Sequence, residues 1–217
     1  MRNNLNSYST LKPLDTITAK CNNIIKFTPL KTLDFSNPAL EISYERKLSN
    51  SFSGQLMASW LFPNSAWDIN KDVLPNTTGY RIAFEEKYFF EKSAPQGPYI
   101  SLELNYMHNK FKDLGYFHAK DDNSDPPYTS YSDTIGIKKQ TLSINFKVGY
   151  QLIVEHLCID FYAGFGPRYK DVEQYNRLKP EDVMDVPKPK DFYFNSNLIG
   201  KYWTVSIPLN VRIGWIF

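Results

Sequence analysis

From Trp203 to Phe217 the chain alternates apolar with polar or small residues. Val205, Ile207, Leu209, Val211, Ile213, Trp215 and Phe217 form one row, and Thr204, Ser206, Pro208, Asn210, Arg212 and Gly214 the other. Successive side chains of a strand point to opposite faces, so this run predicts a strand with one wholly apolar face. The same period recurs upstream. Over 39–48, Leu40, Ile42 and Tyr44 oppose Glu41, Ser43 and Glu45; a short Ser49-Asn50 turn leads to Phe52, Gly54, Leu56, Ala58, Trp60 and Phe62 against Ser53, Gln55, Met57 and Ser59. Over 79–90, Tyr80, Ile82, Phe84 and Tyr88 oppose Arg81, Ala83, Glu85 and Lys87, with Glu86 on the apolar row. Three more runs follow: Ile100, Leu102, Leu104 and Tyr106 against Ser101, Glu103 and Asn105; Leu142 to Leu152 against Thr141, Ser143, Asn145, Lys147 and Gln151; and Leu157, Ile159, Phe161, Ala163 and Phe165 against Cys158, Asp160, Tyr162, Gly164, Gly166 and Arg168. A first strand is placed over 23–33, with Ile25 and Phe27 on one side and Lys26 and Thr28 on the other. Pro29 cannot donate to a ladder and belongs at an edge or bulge.

These runs make eight strands, and their connections alternate in length. Those after the second, fourth and sixth are short; those after the third, fifth and seventh are long, at about 63–78, 113–137 and 170–202. Short turns on one side and long loops on the other are the habit of membrane barrels, whose strands turn an apolar row to lipid and a polar row to the lumen. The expected fold is all-β: an eight-stranded antiparallel up-and-down transmembrane barrel with a polar plugged lumen, both termini periplasmic, preceded by a polar tail over 1–22. A soluble lipocalin-like barrel, with the apolar row turned inward, is the competing fold.

Composition agrees. A mean hydropathy of −0.44 would suit a soluble chain, but half of each spanning strand of a barrel is polar. Aromatic residues make up 16% of the chain, as two interfacial girdles would require. No apolar run is long enough for a transmembrane helix. The net charge of +2 gives no reason to invoke nucleic acid. Met1-Arg-Asn-Asn-Leu-Asn-Ser lacks the apolar stretch of a secretory signal, so an exported chain is expected to be numbered here in a processed form. Cys21 and Cys158 stand far apart, as two free thiols or as a periplasmic disulfide.

Tyr44-Glu45-Arg46, Gly97-Pro-Tyr-Ile-Ser-Leu-Glu103 and the closing Gly214-Trp-Ile-Phe217 resemble small outer-membrane barrel proteins of Bacteroidota, over roughly residues 23–217. The architecture is similar to outer membrane protein X and to the barrel of outer membrane protein A. In outer-membrane barrels the closing strand, with its alternate apolar residues and terminal aromatic, is read by the barrel assembly machinery. The resemblance therefore implies an assembly signal at Val211, Ile213, Gly214, Trp215 and Phe217. It implies an integral protein of the bacterial outer membrane, in contact with its lipids and lipopolysaccharide, and brings no catalytic residues.

The polar rows place Glu41, Glu45, Arg81, Glu85, Lys87, Glu103, Lys147, Asp160, Arg168 and Arg212 inside, five acids and five bases. An eight-stranded barrel is just wide enough for side chains to fill. A mixed network compensates charges that would be costly to bury singly. The expected result is a blocked, salt-bridged bore; the alternatives are a narrow ion or solute channel and a buried ligand site. A lipid-modifying enzyme would need a nucleophile with its base, for which His108, His118, Ser130 and Ser132 are the residues at hand, without a recognisable signature. A metal site from His108, His118, Asp121 and Asp122 lacks ligand spacing. No cofactor is expected. The last long loop carries Lys170, Arg177, Lys179, Lys188, Lys190 and Lys201 among several acids: a solvated loop, or one able to meet lipopolysaccharide phosphates. Aromatic clusters on the loops suit either a docking partner or loops folded on one another. The expected role is non-enzymatic: an accessory subunit of a larger outer-membrane complex, or a surface interaction protein.

Overall fold

The computed structural model describes residues 22–33, 38–62, 77–91, 94–120, 130–184 and 199–217. Strands β1 (Asn23–Phe27), β2 (Ala39–Lys47), β3 (Phe52–Leu61), β4 (Thr78–Phe89), β5 (Gly97–His118), β6 (Tyr131–Val154) and β7 (Leu157–Tyr175) pair in sequence order, each antiparallel to the next. β8 (Val183–Met184) is a short addition to the end of β5. β9 (Gly200–Ser206) and β10 (Leu209–Ile216) form one bent strand, interrupted at Ile207-Pro208, and both pair with β7. β10 also pairs with β1, from Ile24 opposite Ile216 to Phe27 opposite Ile213, which closes the sheet. The result is the expected closed, eight-stranded antiparallel barrel.

The rows face as the alternation predicts. On β3, Phe52, Leu56 and Trp60 point outward and Ser53, Gln55, Met57 and Ser59 inward; β2, β4, β7 and β10 follow suit. Trp60, Phe165 and Trp203 are each more than two-thirds exposed. The lower rim is made of short connections, tightest at Glu155-His156, a two-residue hairpin with Glu155 at φ 55°.

Three expectations need correction. The first strand stops at Phe27 rather than reaching residue 33. Pro29 begins a 3-10 helix, Pro29–Leu33, which packs against β2 and β10. β1 therefore covers only the lower half of the seam, and β9 pairs with β7 alone among the described strands. The loop expected over 113–137 is largely strand: β5 and β6 stay in register from Gly97 opposite Gln151 to Phe117 opposite Tyr131. The loop expected over 170–202 likewise starts and ends in strand, because β7 runs on to Tyr175, β9 begins at Gly200, and β8 lies between.

β5, β6, β7 and β9 thus rise beyond the other strands as a curved ribbon. Its inner face carries a small apolar core, Phe117, Ile135, Ile137 and Val172, with Phe111, Tyr131, Met184 and Tyr202 packed against it. Of the aromatics expected on loops, Tyr131 packs on the ribbon itself, and Tyr128, Phe192, Tyr193 and Phe194 lie outside the described residues. In the ribbon the sidedness of the chain inverts. Lys110, Lys138, Glu173 and Lys201 point outward, where Leu104, Leu142, Phe165 and Val205 point outward lower down.

Candidate functional site: a filled bore and a basic mouth

The inward rows place charge at the centre of the cylinder. Asp160 on β7 is fully buried and accepts four hydrogen bonds: from Lys26 Nζ at 2.8 Å, Lys87 Nζ at 2.7 Å, Arg212 Nη1 at 3.2 Å and Tyr99 Oη at 2.6 Å. Glu45 pairs with Lys26 and with Lys87, the latter at 3.2 Å. Glu85 takes Arg212 Nη2 at 2.9 Å, Lys147 Nζ at 3.1 Å and the Ser101 hydroxyl at 2.6 Å. Glu103 pairs with Lys147 and accepts from Asn145 Nδ2 at 2.8 Å. Four carboxylates therefore face four cations in one connected network. Tyr162 supplies a ring face to two of the cations, with Arg212 4.0 Å and Lys147 4.3 Å from its centroid, and Tyr99 does the same for Lys87 at 4.5 Å.

Glycines make the room for this filling. Gly214 lies opposite Lys26, and a Cβ there would stand 2.7 Å from Lys26 Cγ. Gly164 lies opposite Lys147, whose Cγ would be 2.8 Å away. At both places the missing side chain lets a lysine stem cross toward the axis.

The network is sealed at both ends. Below it lie Ile24, Cys158 and Ile216 with Ile153, and beside them Phe89 and Ala94. Cys158 is buried and has no disulfide partner among the described residues; Cys21 lies outside them. Above it, Glu41 pairs with Lys31 of the 3-10 helix and accepts the hydroxyls of Thr28 and Ser59 at 2.8 and 2.7 Å. Ala39, Leu61 and Met107 form an apolar layer at that level.

Of the ten charges expected inside, Glu41, Glu45, Glu85, Lys87, Glu103, Lys147, Asp160 and Arg212 are buried together. Arg81 and Arg168 stand higher and are half-buried, Arg81 donating to Met107 Sδ at 3.5 Å and Arg168 to Ser206 Oγ at 2.8 Å. Sequence reasoning put Lys26 and Tyr162 on the polar rows but did not join them to the network, and passed over Lys31 and Tyr99. Inward parity was the available signal for Lys26, Tyr99 and Tyr162; Lys31 stands on the 3-10 helix, where strand alternation does not apply. Of the expected assembly segment, Ile213, Trp215 and Phe217 are exposed, Val211 is half-buried and Gly214 is buried in the seam.

The residues considered for chemistry fall in two places: His108 stands apart, while His118, Ser130 and Ser132 share the tip of the ribbon, where Phe117 pairs with Tyr131. His108 points outward on β5 beside Tyr80, ring centroids 5.6 Å apart. Ser132 pairs with Tyr116, eight positions along β5 from His108, about 27 Å away at strand rise. His118 shares the ribbon tip with Ser132 and lies opposite Val183. No group of three metal-ligating side chains occurs among the described residues, and Asp121 and Asp122 lie outside them. No helix is long and apolar enough to cross a membrane, which leaves crossing by strands open.

Fold and bore together define the class: a small closed barrel with an apolar exterior, filled by a neutral ion-pair network. No family model matches the chain, and no curated protein or solved structure resembles it detectably.

Proposed function

We propose that this protein is an integral β-barrel of the bacterial outer membrane with a closed bore. Its role is non-enzymatic: it anchors the β5–β6–β7–β9 ribbon at the cell surface as an accessory or docking subunit of a larger outer-membrane assembly.

The observation that carries this reading is the inversion of sidedness between barrel and ribbon. Up to the level of Trp60, Tyr80, Tyr106, Tyr169 and Trp203 the outer face is apolar and the inner face charged. Beyond that level the outer face carries Lys110, Lys138, Glu173 and Lys201, and the inner face passes from Lys170 and Lys139 to the apolar cluster of Phe117, Ile135, Ile137 and Val172. Water outside a strand favours the second arrangement, and hydrocarbon the first. Phe52, Tyr88, Phe90, Tyr150 and Trp215 mark the opposite edge of the apolar band. Tyr80 and Tyr88 are eight residues apart, about 27 Å along the strand and about 20 Å along an axis from which strands tilt by roughly 40°. That height suits the apolar band of an outer-membrane barrel, about 25 Å. An apolar surface this continuous is not left to water in a soluble monomer.

The filled bore supports a role other than conduction, and the ribbon, with its own small core, supports recognition. The experiment is gentle extraction from native membranes, affinity purification, and mass spectrometry of co-eluting proteins. A stoichiometric outer-membrane partner, lost on shortening the ribbon tip, is the expected result. A chain that elutes alone from every detergent defeats the accessory role, and steady single-channel conductance in planar bilayers defeats the closed bore.

A further inference from the structure

Below the mouth each inward cation of the network has a carboxylate. Lys26 and Lys87 share Glu45 and Asp160, Lys147 meets Glu85 and Glu103, Arg212 reaches Glu85 and Asp160, and Lys31 meets Glu41. The mouth departs from this rule. Lys139 on β6 and Lys170 on β7 both face inward, 7% and 2% exposed, and neither meets a carboxylate among the described residues. Register brings them together. Lys170 lies opposite Thr141, Lys139 opposite Val172, and Arg168 opposite Ser143. The two lysines therefore occupy diagonal positions, roughly 7–8 Å apart, and Arg168 is the next inward residue below Lys170, about 7 Å along the strand.

Thr141, also buried, is the inward residue following Lys139, and its hydroxyl has no hydrogen-bond partner among the described residues. Lys170 Nζ lies 5.8 Å from the Tyr202 ring centroid, and Arg168 is held by Ser206. Burial, reinforced by the charges of Lys170 and Arg168, brings the Lys139 ammonium down to about 8. Like charges drawn out of water next to one another are unfavourable unless an anion joins them.

We infer that this mouth is a binding site for a phosphate-class oxyanion, gripped by Lys139, Lys170 and Arg168, with the Thr141 hydroxyl donating to it. A tetrahedral, multiply charged anion matches this donor set: two point-charge ammoniums, a guanidinium fork and a hydroxyl converge from two adjacent strands. A single carboxylate would leave most of these donors without an acceptor. The phosphoryl group can arrive on a small soluble molecule or on the headgroup of a phosphorylated glycolipid.

Full-length protein in detergent micelles is titrated separately with inorganic phosphate and with a diphosphorylated glycolipid, and read by the shift in Tm and by 31P line broadening. At least one of the two is expected to bind saturably at one site. Lys139→Gln and Lys170→Gln should each weaken that binding by about tenfold or more, the range expected when a charged hydrogen-bonding group is removed. Lys201→Gln, at an exposed lysine paired with Asp171, should bind as wild type does. Both mouth variants relieve cation repulsion, so their Tm without ligand should equal or exceed that of wild type, which keeps the titration readable. Binding of phosphate alone assigns a soluble ligand, and binding of the glycolipid alone assigns a headgroup. No saturable binding of either, or equal weakening by Lys201→Gln, overturns the inference.

Discussion

Replacing Asp160 by alanine tests whether the bore is held by its ion pairs. The carboxylate is fully buried and is shared by Lys26, Lys87, Arg212 and Tyr99. Without it, three cations are left to Glu45 and Glu85, and the Tyr99 hydroxyl loses its acceptor. Removing one partner of a buried ion pair costs about 3–5 kcal/mol, and a buried hydroxyl left without a partner costs a further ~1–2 kcal/mol. Asp160→Ala should therefore lose about 5 kcal/mol, a large part of the ~5–15 kcal/mol that stabilises a typical domain. Asp160→Asn keeps the shape and an oxygen for Tyr99 while removing the charge, so its loss should be smaller, about 3–4 kcal/mol. Urea unfolding in lipid vesicles, followed by tryptophan fluorescence, gives both values from the shift in midpoint at constant m. If both variants unfold within about 1 kcal/mol of wild type, the charges are solvated in place and the bore is wet rather than filled.

Further expectations follow from single residues. Gly164→Val would drive a side chain into Lys147 and should lower stability by about 1–3 kcal/mol, read as a fall in Tm. Glu86 stands on the apolar outer row, one outward position above Tyr88; Glu86→Leu should stabilise the protein in bilayers by up to about 1–2 kcal/mol, measured by the same unfolding assay. Lys139 releases its proton near pH 8 in the folded protein and near its ordinary value of 10.5 when unfolded, so between these the unfolded chain binds more protons and stability rises with pH. Lys139→Met should flatten that rise, which is on the order of 2–3 kcal/mol, in midpoints measured from pH 7 to 11; an unchanged slope would place the rise elsewhere.

The barrel strands were legible because lipid-type alternation is simple: one row apolar, one row polar, over nine or ten residues. Two physical events hid the rest. At Pro29 the chain loses a donor and leaves the sheet, which an apolar count over 23–33 does not register. Beyond Tyr106 and Leu142 the alternation continues but changes sign, with Lys110 and Lys138 outside and Phe111, Ile135 and Ile137 inside. A search for an apolar outer row ends there, and the Asp, Ser and Pro of the following segment then suggest a loop. The network was legible as a set of inward charges; its pairing was not, because Lys26 meets Asp160 across 134 positions of sequence. The basic mouth was half-visible. Lys170 stood out as part of a charged loop, whereas its partner Lys139 became meaningful only when the register of β6 on β7 set the two side by side.

The short first strand has a geometric consequence. In the order of the sheet, β5 stands across the cylinder from β1, so the tallest wall faces the lowest. The described rim is therefore bevelled, like the cut end of a reed. β5, β6 and β7 form its upright lip, and β1 with the 3-10 helix forms its step. At the step the wall is closed by a short pairing, Ile24–Phe27 on Ile213–Ile216, extended by Phe217 N donating to Asn23 O. A bevel gives a round barrel a front and a back. The inner face of the lip, with Lys139 and Lys170 buried on it, belongs to the front.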